Sequence, residues 1–248
     1  MNNLFNIILG IFIFVLLWQS CIVVLELPTY ILPSPFEVLT ALKLNWKTIL
    51  FHTEITFYES FSGFLIANLI SIVIALIIAF HQKIEDLVIP IAIVIKTMPI
   101  IAIAPLLIIW FGPGLFSKIV TSMLVCFFPS LINTLRGVKC LDRNLLMLFK
   151  IYGVNKKQLI KMFILPSILP FLFAALKVSS SLAVVGALVG EFIGSNKGLG
   201  FLIISNYYNM NTALVLATVA VSSIMGISFY YIIHFFEKKF VLRSELSI

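Results

Sequence analysis

Hydrophobic residues in this chain form long runs that few charged residues interrupt. A helix needs about 20 apolar residues to cross the hydrocarbon core of a membrane, and six windows approach that length. They cover residues 4–25, 60–80, 87–110, 119–135, 166–191 and 212–235. The third window is the least regular, because it contains Lys96 and the prolines Pro90, Pro99 and Pro105. The pattern predicts an all-α integral membrane protein with six transmembrane helices.

The composition leads to the same class of protein. With 61% hydrophobic and 11% charged residues and a mean hydropathy of +1.15, the chain has too little polar surface for a soluble globule of 248 residues. The net charge of +7 does not indicate nucleic acid, because the basic residues lie beside apolar runs. Cys21, Cys126 and Cys140 are far apart, so we expect no disulfide framework, metal site or cofactor.

The distribution of lysine and arginine predicts the orientation in the membrane. If the N-terminus is cytoplasmic, the basic residues on the outer side are Lys43, Lys47, Lys118 and Lys197. The inner side then holds Lys83 and the larger basic groups of residues 136–161 and 238–243. Basic loops resist transfer across a membrane. We therefore expect a multi-pass protein of a bacterial-type cytoplasmic (inner) membrane, with both termini cytoplasmic.

Residues 136–165, between the fourth and fifth windows, are too regular for a disordered loop. Apolar side chains recur at helical spacing at Leu145, Leu146, Phe149 and Tyr152. Gly153 can end that helix in a left-handed turn, and Asn155 can cap a second helix over residues 156–164. The loop is therefore predicted to be a helix, a glycine hinge and a helix.

The second helix of this loop is amphipathic. Leu159, Met162 and Phe163 fall on one side of it, and Lys157 and Lys161 fall on another. Such a helix can bind a soluble partner. The alternative is a surface helix in the headgroup region, with its lysines on anionic membrane lipid.

The interval between Gly153 and the Leu-Pro pair at 165–166 resembles the cytoplasmic loop of ABC importer permeases. The family pattern there is Glu-Ala-Ala, three residues, Gly, nine residues, Ile, one residue, Leu-Pro. This chain has Phe163 at the Ile position, and residues 147–149 (Met-Leu-Phe) stand where the pattern has Glu-Ala-Ala. In the family this loop contacts the ATP-binding subunit, so the missing glutamate is expected to remove one charged contact with that subunit.

Four further segments resemble the permeases for nitrate, sulfonate and taurine uptake. They are LPSP (32–35), KTMPIIAIAPLLIIWFGPGLFSK (96–118), FFPSLINTLRGVKCLD (127–142) and GEFIGSNKGLGFLI (190–203). Permeases for thiamine-precursor pyrimidines and for riboflavin share much of this pattern. The resemblance therefore implies a small anion of the nitrate, sulfonate or taurine type as the substrate. A thiamine-precursor pyrimidine or riboflavin is the alternative.

The resemblance implies the type I ABC importer permease fold, as one transmembrane domain over 1–248 with its core at 50–236. It implies that loop 136–165 carries a coupling helix for a separate ATP-binding cassette ATPase subunit, and that an extracytoplasmic substrate-binding protein delivers the solute. The chain itself has no G-x-x-x-x-G-K-[ST] motif, and without an internal repeat it is expected to form a homodimer. The positions implied in ATPase coupling are Gly153, Asn155, Lys157, Leu159, Lys161, Leu165 and Pro166.

Polar residues inside membrane spans are costly and invite a functional interpretation. Lys96, with Pro99 and Pro105, predicts a broken helix beside a cavity, where the lysine attracts an anionic solute. A lysine that reaches to the interface is the alternative. The resemblance places Glu191 near the outer gate, with Gly198 and Gly200; the alternative is a carboxylate exposed at a helix end.

The remaining polar residues predict no catalytic site. His52, His81 and His234 lack companion ligands, and Glu54 and Glu59 are expected to lie at an exposed helix start. Small residues along the fifth window, among them serines 179–181 and glycines 186 and 190, predict close helix packing. A membrane enzyme is disfavoured because titratable groups do not converge, and an ion channel is disfavoured because the sequence has no filter-like polar loop.

Overall fold

The computed structural model describes residues 2–245 and consists of helices joined by short turns, with no strand in that range. The α-helices are α1 (Asn2–Val24), α2 (Pro35–Leu44), α3 (Trp46–Phe80), α4 (Glu85–Thr97), α5 (Ile100–Phe111), α6 (Leu115–Lys139), α7 (Arg143–Ile151), α8 (Lys156–Leu159), α9 (Leu165–Phe192), α10 (Leu199–Tyr208) and α11 (Thr212–Glu245). A 3₁₀ turn, Gln82–Ile84, precedes α4, and a π-helical turn, Ile160–Ile164, joins α8 to α9. Met1 and residues 246–248 of the predicted domain lie outside the described residues.

The described residues contain four helices that are long and apolar enough to cross a membrane. They are Trp46–Phe80, Leu115–Lys139, Lys156–Phe192 and Thr212–Phe240. The pair α4 and α5 makes a fifth if it counts as one span, while the apolar stretch Leu9–Val24 of α1 is shorter. The all-helical membrane fold is thus confirmed, whereas the described residues give four or five candidate spans where six were predicted.

The third predicted window is not one straight helix. Its two halves, α4 and α5, are bent by 99° relative to each other. Met98 ends α4 with an extended backbone, ψ 126°, which is the conformation that a following proline favours. Pro99 then stands at the N-cap of α5, whereas Pro90 and Pro105 stay inside their helices. The proline that breaks the window is therefore Pro99.

Small residues bring α3, α6 and α9 into close contact. A Cβ atom added at Gly63 of α3 would lie 2.6 Å from the Ser122 side chain, and one at Gly186 of α9 would lie 2.7 Å from Ser122 Cα. The Ser122 hydroxyl donates to the Ala183 carbonyl at 2.9 Å. The predicted packing role of glycine 186 is confirmed, and its neighbour is α6 of the same chain.

A hydrogen-bonded group crosses the middle of the same three helices. Asn68 of α3 donates through Nδ2 to Ser179 of α9 at 3.1 Å and accepts from Ser130 of α6 at 2.6 Å. The Cys126 thiol donates to the Ser179 carbonyl at 3.2 Å. All four residues are buried. Because these polar groups find partners within the chain, they stabilise the three-helix core in an apolar environment.

Candidate functional site

A buried group of polar residues lies at the C-terminal end of α9. We call Thr56, Glu59, Lys118, Glu191 and Gly200 the carboxylate cluster. Glu191 is 1% exposed; its Oε1 accepts from the Thr56 hydroxyl at 2.6 Å, and its Oε2 accepts from the Gly200 N–H at 2.5 Å. The Leu199 N–H donates to Thr56 Oγ1 at 2.8 Å. Glu191 therefore connects α3, α9 and α10, and it is not a carboxylate exposed at a helix end.

The two glycines predicted at the gate are needed by this geometry. Gly198 has φ +100°, and its N–H donates to His52 Nδ1 at 2.9 Å. A side chain at Gly198 would overlap the Glu191 carboxyl group, and a Cβ at Gly200 would lie 2.6 Å from the Leu188 carbonyl oxygen. Only glycine combines a left-handed backbone with such close approach.

Two members of the cluster were not predicted to be buried. Glu59 is 2% exposed, so its assignment to an exposed helix start is wrong, whereas Glu54 is exposed as expected. Lys118, which was counted among the basic residues of the outer side, lies in the first turn of α6, 1% exposed, and its ammonium donates to the Pro113 carbonyl. The histidine prediction also missed the contact between His52 and the Gly198 N–H.

A signal for the cluster was present in the sequence. His52, Thr56 and Glu59 follow each other at i, i+4 and i+7, which places them on one face of α3. A polar face on an otherwise apolar helix indicates that another element supplies polar partners. The sequence did not show that these partners would be Glu191 and the N-terminus of α10.

Two cavities lie beside the turn that follows Glu191. One, about 470 Å³, is lined by Glu59, Lys118 and Lys197 among others. The other, about 380 Å³, is lined by Glu191 and by residues of α10. Gly194 and Ser195 line both cavities. The cluster is thus buried, yet two of its acidic groups border spaces that open beside an exposed turn.

A third cavity, about 580 Å³, lies at the bend between α4 and α5. It is lined mainly by apolar residues, including Trp110, Phe128 and Leu182, and by Lys96. The Lys96 ammonium lies 4.6 Å from the centre of the Phe128 ring, a cation–π contact. The positive end of the α5 dipole begins at Ile100, four residues further along the chain.

The structure does not bring all predicted pathway residues to one place. Lys96 contacts α6 at Phe128, whereas Glu191 belongs to the cluster that contains Lys118, ten residues earlier on α6. Ten residues of helix correspond to about 15 Å. Pro105 is exposed within α5 and shares no contact with the cluster among those the structure describes.

The loop between α6 and α9 has the predicted end of its first helix and the predicted start of its second. Gly153 follows α7 with φ +70°, and the Val154 N–H donates to the Phe149 carbonyl at 3.1 Å, which closes the end of α7. Asn155 Oδ1 accepts from the Gln158 N–H at 2.9 Å, and Gln158 Oε1 accepts from the Asn155 N–H at 3.3 Å. The glycine turn and the asparagine cap are both confirmed.

The second helix of the loop is not a separate element. The stretch Lys156–Phe192 runs from α8 through the π-helical turn into α9, and the predicted start of the fifth span at Pro166 lies in the first turn of α9. Leu159 is 4% exposed and belongs to a core with Ile164 and Ile168. It therefore packs against its own chain, while Lys157, Lys161, Leu165 and Pro166 are exposed.

The exposed side of the loop is largely apolar. Met147 and Leu148 are exposed on α7, Ile151 is 81% exposed, and Tyr152 is 76% exposed beside Gly153. Phe149 instead faces inward, where its ring lies 5.4 Å from that of Phe163. We call Met147, Leu148, Ile151 and Tyr152 the apolar loop surface. Met147 and Leu148 of this surface stand where the pattern of the resembling permeases has the first two residues of Glu-Ala-Ala.

Comparisons with known proteins agree with the resemblance. The model of the family described as "Binding-protein-dependent transport system inner membrane component" matches residues 67–242. The chain is 32% identical to the formylaminopyrimidine transport permease of Halalkalibacterium halodurans, covering 80% of each chain. It is 31% identical to the riboflavin transport system permease of Chloroflexus aurantiacus, over 93% of this chain and 86% of that one. It is 31% identical to an aliphatic sulfonates transport permease of Bacillus subtilis, over 79% and 72%.

Proposed function

Because the chain belongs to the family of binding-protein-dependent transport system inner membrane components, we propose that it forms the solute pathway of an ATP-driven ABC importer. Its role is that of a permease subunit. A separate ATP-binding cassette ATPase would hydrolyse ATP, since the sequence has no phosphate-binding motif for it. An extracytoplasmic substrate-binding protein would deliver the solute, and a second copy of the chain would complete the pathway.

The observation that carries this proposal is the loop between α6 and α9. It has an apolar surface that its own chain leaves uncovered, a capped helix, and a glycine turn between them. Lys157 and Lys161, on the helical stretch that follows the cap, are exposed as well. Bound to an ATPase, the loop would transmit nucleotide-driven movement directly to α9, because α8 and α9 form one continuous helical stretch.

We place the loop and both termini in the cytoplasm of a bacterial-type cell, with the carboxylate cluster toward the outside. The support is the excess of basic residues on the loop side. In this arrangement the hydrogen bonds of Glu191 with Thr56 and Gly200 hold the outer end of the subunit closed. ATP binding would open the outer end and hydrolysis would return the pathway to the inner side, as alternating access requires.

The solute proposed is a small anion of the nitrate, sulfonate or taurine type. Lys96 supports it, because its ammonium borders the cavity at the bend between α4 and α5. A thiamine-precursor pyrimidine or riboflavin is the second candidate. The observation in its favour is the aromatic lining of the same cavity by Trp110 and Phe128, which suits a planar ring.

Replacement of Gly153 tests the coupling function. Proline cannot adopt φ +70°, so Gly153→Pro should abolish ATP-driven uptake in vesicles that contain ATPase and binding protein, while the chain still inserts. Gly153→Asn is the matched control, because asparagine tolerates the left-handed region, and it should keep most of the uptake. Normal uptake by the proline variant would refute the hinge. The importer would be refuted if the protein bound no ATPase subunit and conducted ions without ATP.

The solute can be decided in two steps. A thermal-shift screen of the binding protein with sulfonates, nitrate and pyrimidines identifies what is delivered. Uptake by Lys96→Met then tests the pathway, because loss of the positive charge that Lys96 brings to the cavity lining should reduce uptake of an anion and spare a neutral pyrimidine. Equal uptake of an anion by wild type and variant would remove Lys96 from the pathway.

A further inference from the structure

Glu59 is a buried acidic side chain to which the proposed import function assigns no role. It is 2% exposed, and its Oε2 atom accepts no hydrogen bond from any donor in the described part of the chain. Unpaired polar atoms are costly in a protein interior and more so within a membrane. The Glu59 carboxyl group therefore requires a specific explanation.

The neighbour of Glu59 across the helix interface is Glu191. Glu59 lies about one turn after Thr56 on the same face of α3, and Thr56 bonds Glu191 directly, so Glu59 and Glu191 are neighbours whose charges interact. Both oxygen atoms of Glu191 already accept hydrogen bonds, from the Thr56 hydroxyl and the Gly200 N–H. Glu191 is thus arranged as an acceptor, so a hydrogen bond between the two groups requires a proton on Glu59.

The charges around the pair also require a proton. Lys118 of α6 is the buried cation, and none of the ion pairs within 4.0 Å in the described part of the chain involves it. His52 of α3 accepts from the Gly198 N–H through Nδ1, so its ring is neutral. Glu54 and Lys197 are exposed to solvent. Two ionised carboxylates would leave the buried group with one net negative charge.

We propose that Glu59 and Glu191 form a proton-binding site, in which Glu59 carries a proton and donates it in a hydrogen bond to the Glu191 carboxylate. The proton makes the cluster electrically neutral and adds a link between α3 and α9 beside the Thr56 bond. The cavity of about 470 Å³ that Glu59 and Lys118 line gives this proton a route toward the exposed turn at Lys197. Closure of this end of the subunit is thereby linked to proton binding.

Infrared spectroscopy of the purified full-length protein tests the proposal without ATP or transport. At neutral pH, in a detergent without ester groups, the wild type should show the C=O stretching band of a protonated carboxyl group, which shifts in D₂O. Glu59→Gln should lack this band, because the amide can donate to Glu191 without a titratable proton. Glu54→Gln, on the exposed side of the same helix, should keep it. Absence of the band in the wild type, or its persistence in Glu59→Gln, would overturn the proposal.

The pH dependence of thermal unfolding gives a second readout. An unfolded chain ionises its glutamates above about pH 5, so at neutral pH the folded protein would hold one proton more than the unfolded protein. The ratio of folded to unfolded protein should then fall as the pH rises, by up to about tenfold per pH unit. Glu59→Gln should remove this dependence, and Glu54→Gln should retain it. A wild type whose melting temperature is constant from neutral to alkaline pH would contradict the site.

Discussion

The two ends of α9 are constructed in opposite ways, and two glycines make the difference plain. Gly198, near the C-terminal end, and Gly153, before the N-terminal end, both have left-handed backbones, with φ +100° and +70°. At Gly198 the Glu191 carboxyl group fills the space where a side chain would be. At Gly153 a Cβ atom would meet no described atom within 4 Å. The first glycine is required by packing and conformation together, and the second by conformation alone.

The same contrast holds for the groups around these glycines. At the C-terminal end, polar side chains are buried and bonded to one another, as Glu191 is to Thr56 and Gly200. At the loop end, apolar side chains such as Ile151 and Tyr152 face outward. A buried polar network holds its side chains in one arrangement. An uncovered apolar surface, in contrast, is stabilised when a partner covers it. The polar groups named at the C-terminal end of α9 find partners within the chain, whereas the apolar side chains at the loop end are exposed and suited to binding a partner protein.

The largest effect predicted from this comparison is that of Gly198→Ala. A left-handed alanine costs about 1–2 kcal/mol, and displacement of the Glu191 carboxyl group breaks hydrogen bonds for about 1–3 kcal/mol more. We expect a loss of roughly 3 kcal/mol or more, measured as a lower melting temperature in detergent. Gly153→Ala, which meets only the conformational cost of about 1–2 kcal/mol, should lower the melting temperature clearly less than Gly198→Ala does. Equal destabilisation by both variants would refute the contrast.

A smaller effect is expected from Thr56→Val, which keeps the shape of the side chain. It removes the donor to Glu191 Oε1 and leaves the Leu199 N–H without its acceptor, for a loss of about 2 kcal/mol. Thr53→Val is the matched control, since the Thr53 hydroxyl donates to the Ile49 carbonyl of its own helix and, among the described contacts, to no other helix. Both variants are compared by thermal unfolding. If the two variants have the same melting temperature, the cluster does not stabilise the C-terminal end of α9.

The sequence predicted the loop end of α9 better than the C-terminal end. The stop at Gly153 and the cap at Asn155 are local features, because each depends on residues within one helical turn. The bend at Pro99 is local for the same reason. These predictions were correct because their causes lie in adjacent residues.

The carboxylate cluster depends instead on contacts between distant segments. Glu59 and Glu191 come together only because α3 packs against α9, and Lys118 is buried only because Gly190 lets α6 approach, with a Cβ there 3.2 Å from Lys118 Cα. Hydropathy along the chain does not report which helices touch. The continuous helix from α8 into α9 was missed for a related reason, since a π-helical turn let the helix continue to Pro166, where a separate span was expected to begin.

The smallest predicted effect, that of Asn155→Ala, concerns the loop end alone. Loss of the side-chain bond to the Gln158 N–H should cost about 1 kcal/mol of local helix stability. Because this end is exposed, amide exchange over residues 156–160 should rise while the melting temperature stays constant. Asn45→Ala is the control, since Asn45 stands at the N-cap of α3 without a side-chain capping bond, so exchange at the start of α3 should not change. A global loss of stability in Asn155→Ala would mean that the loop is as firmly held as the carboxylate cluster, and the two ends of α9 would no longer differ.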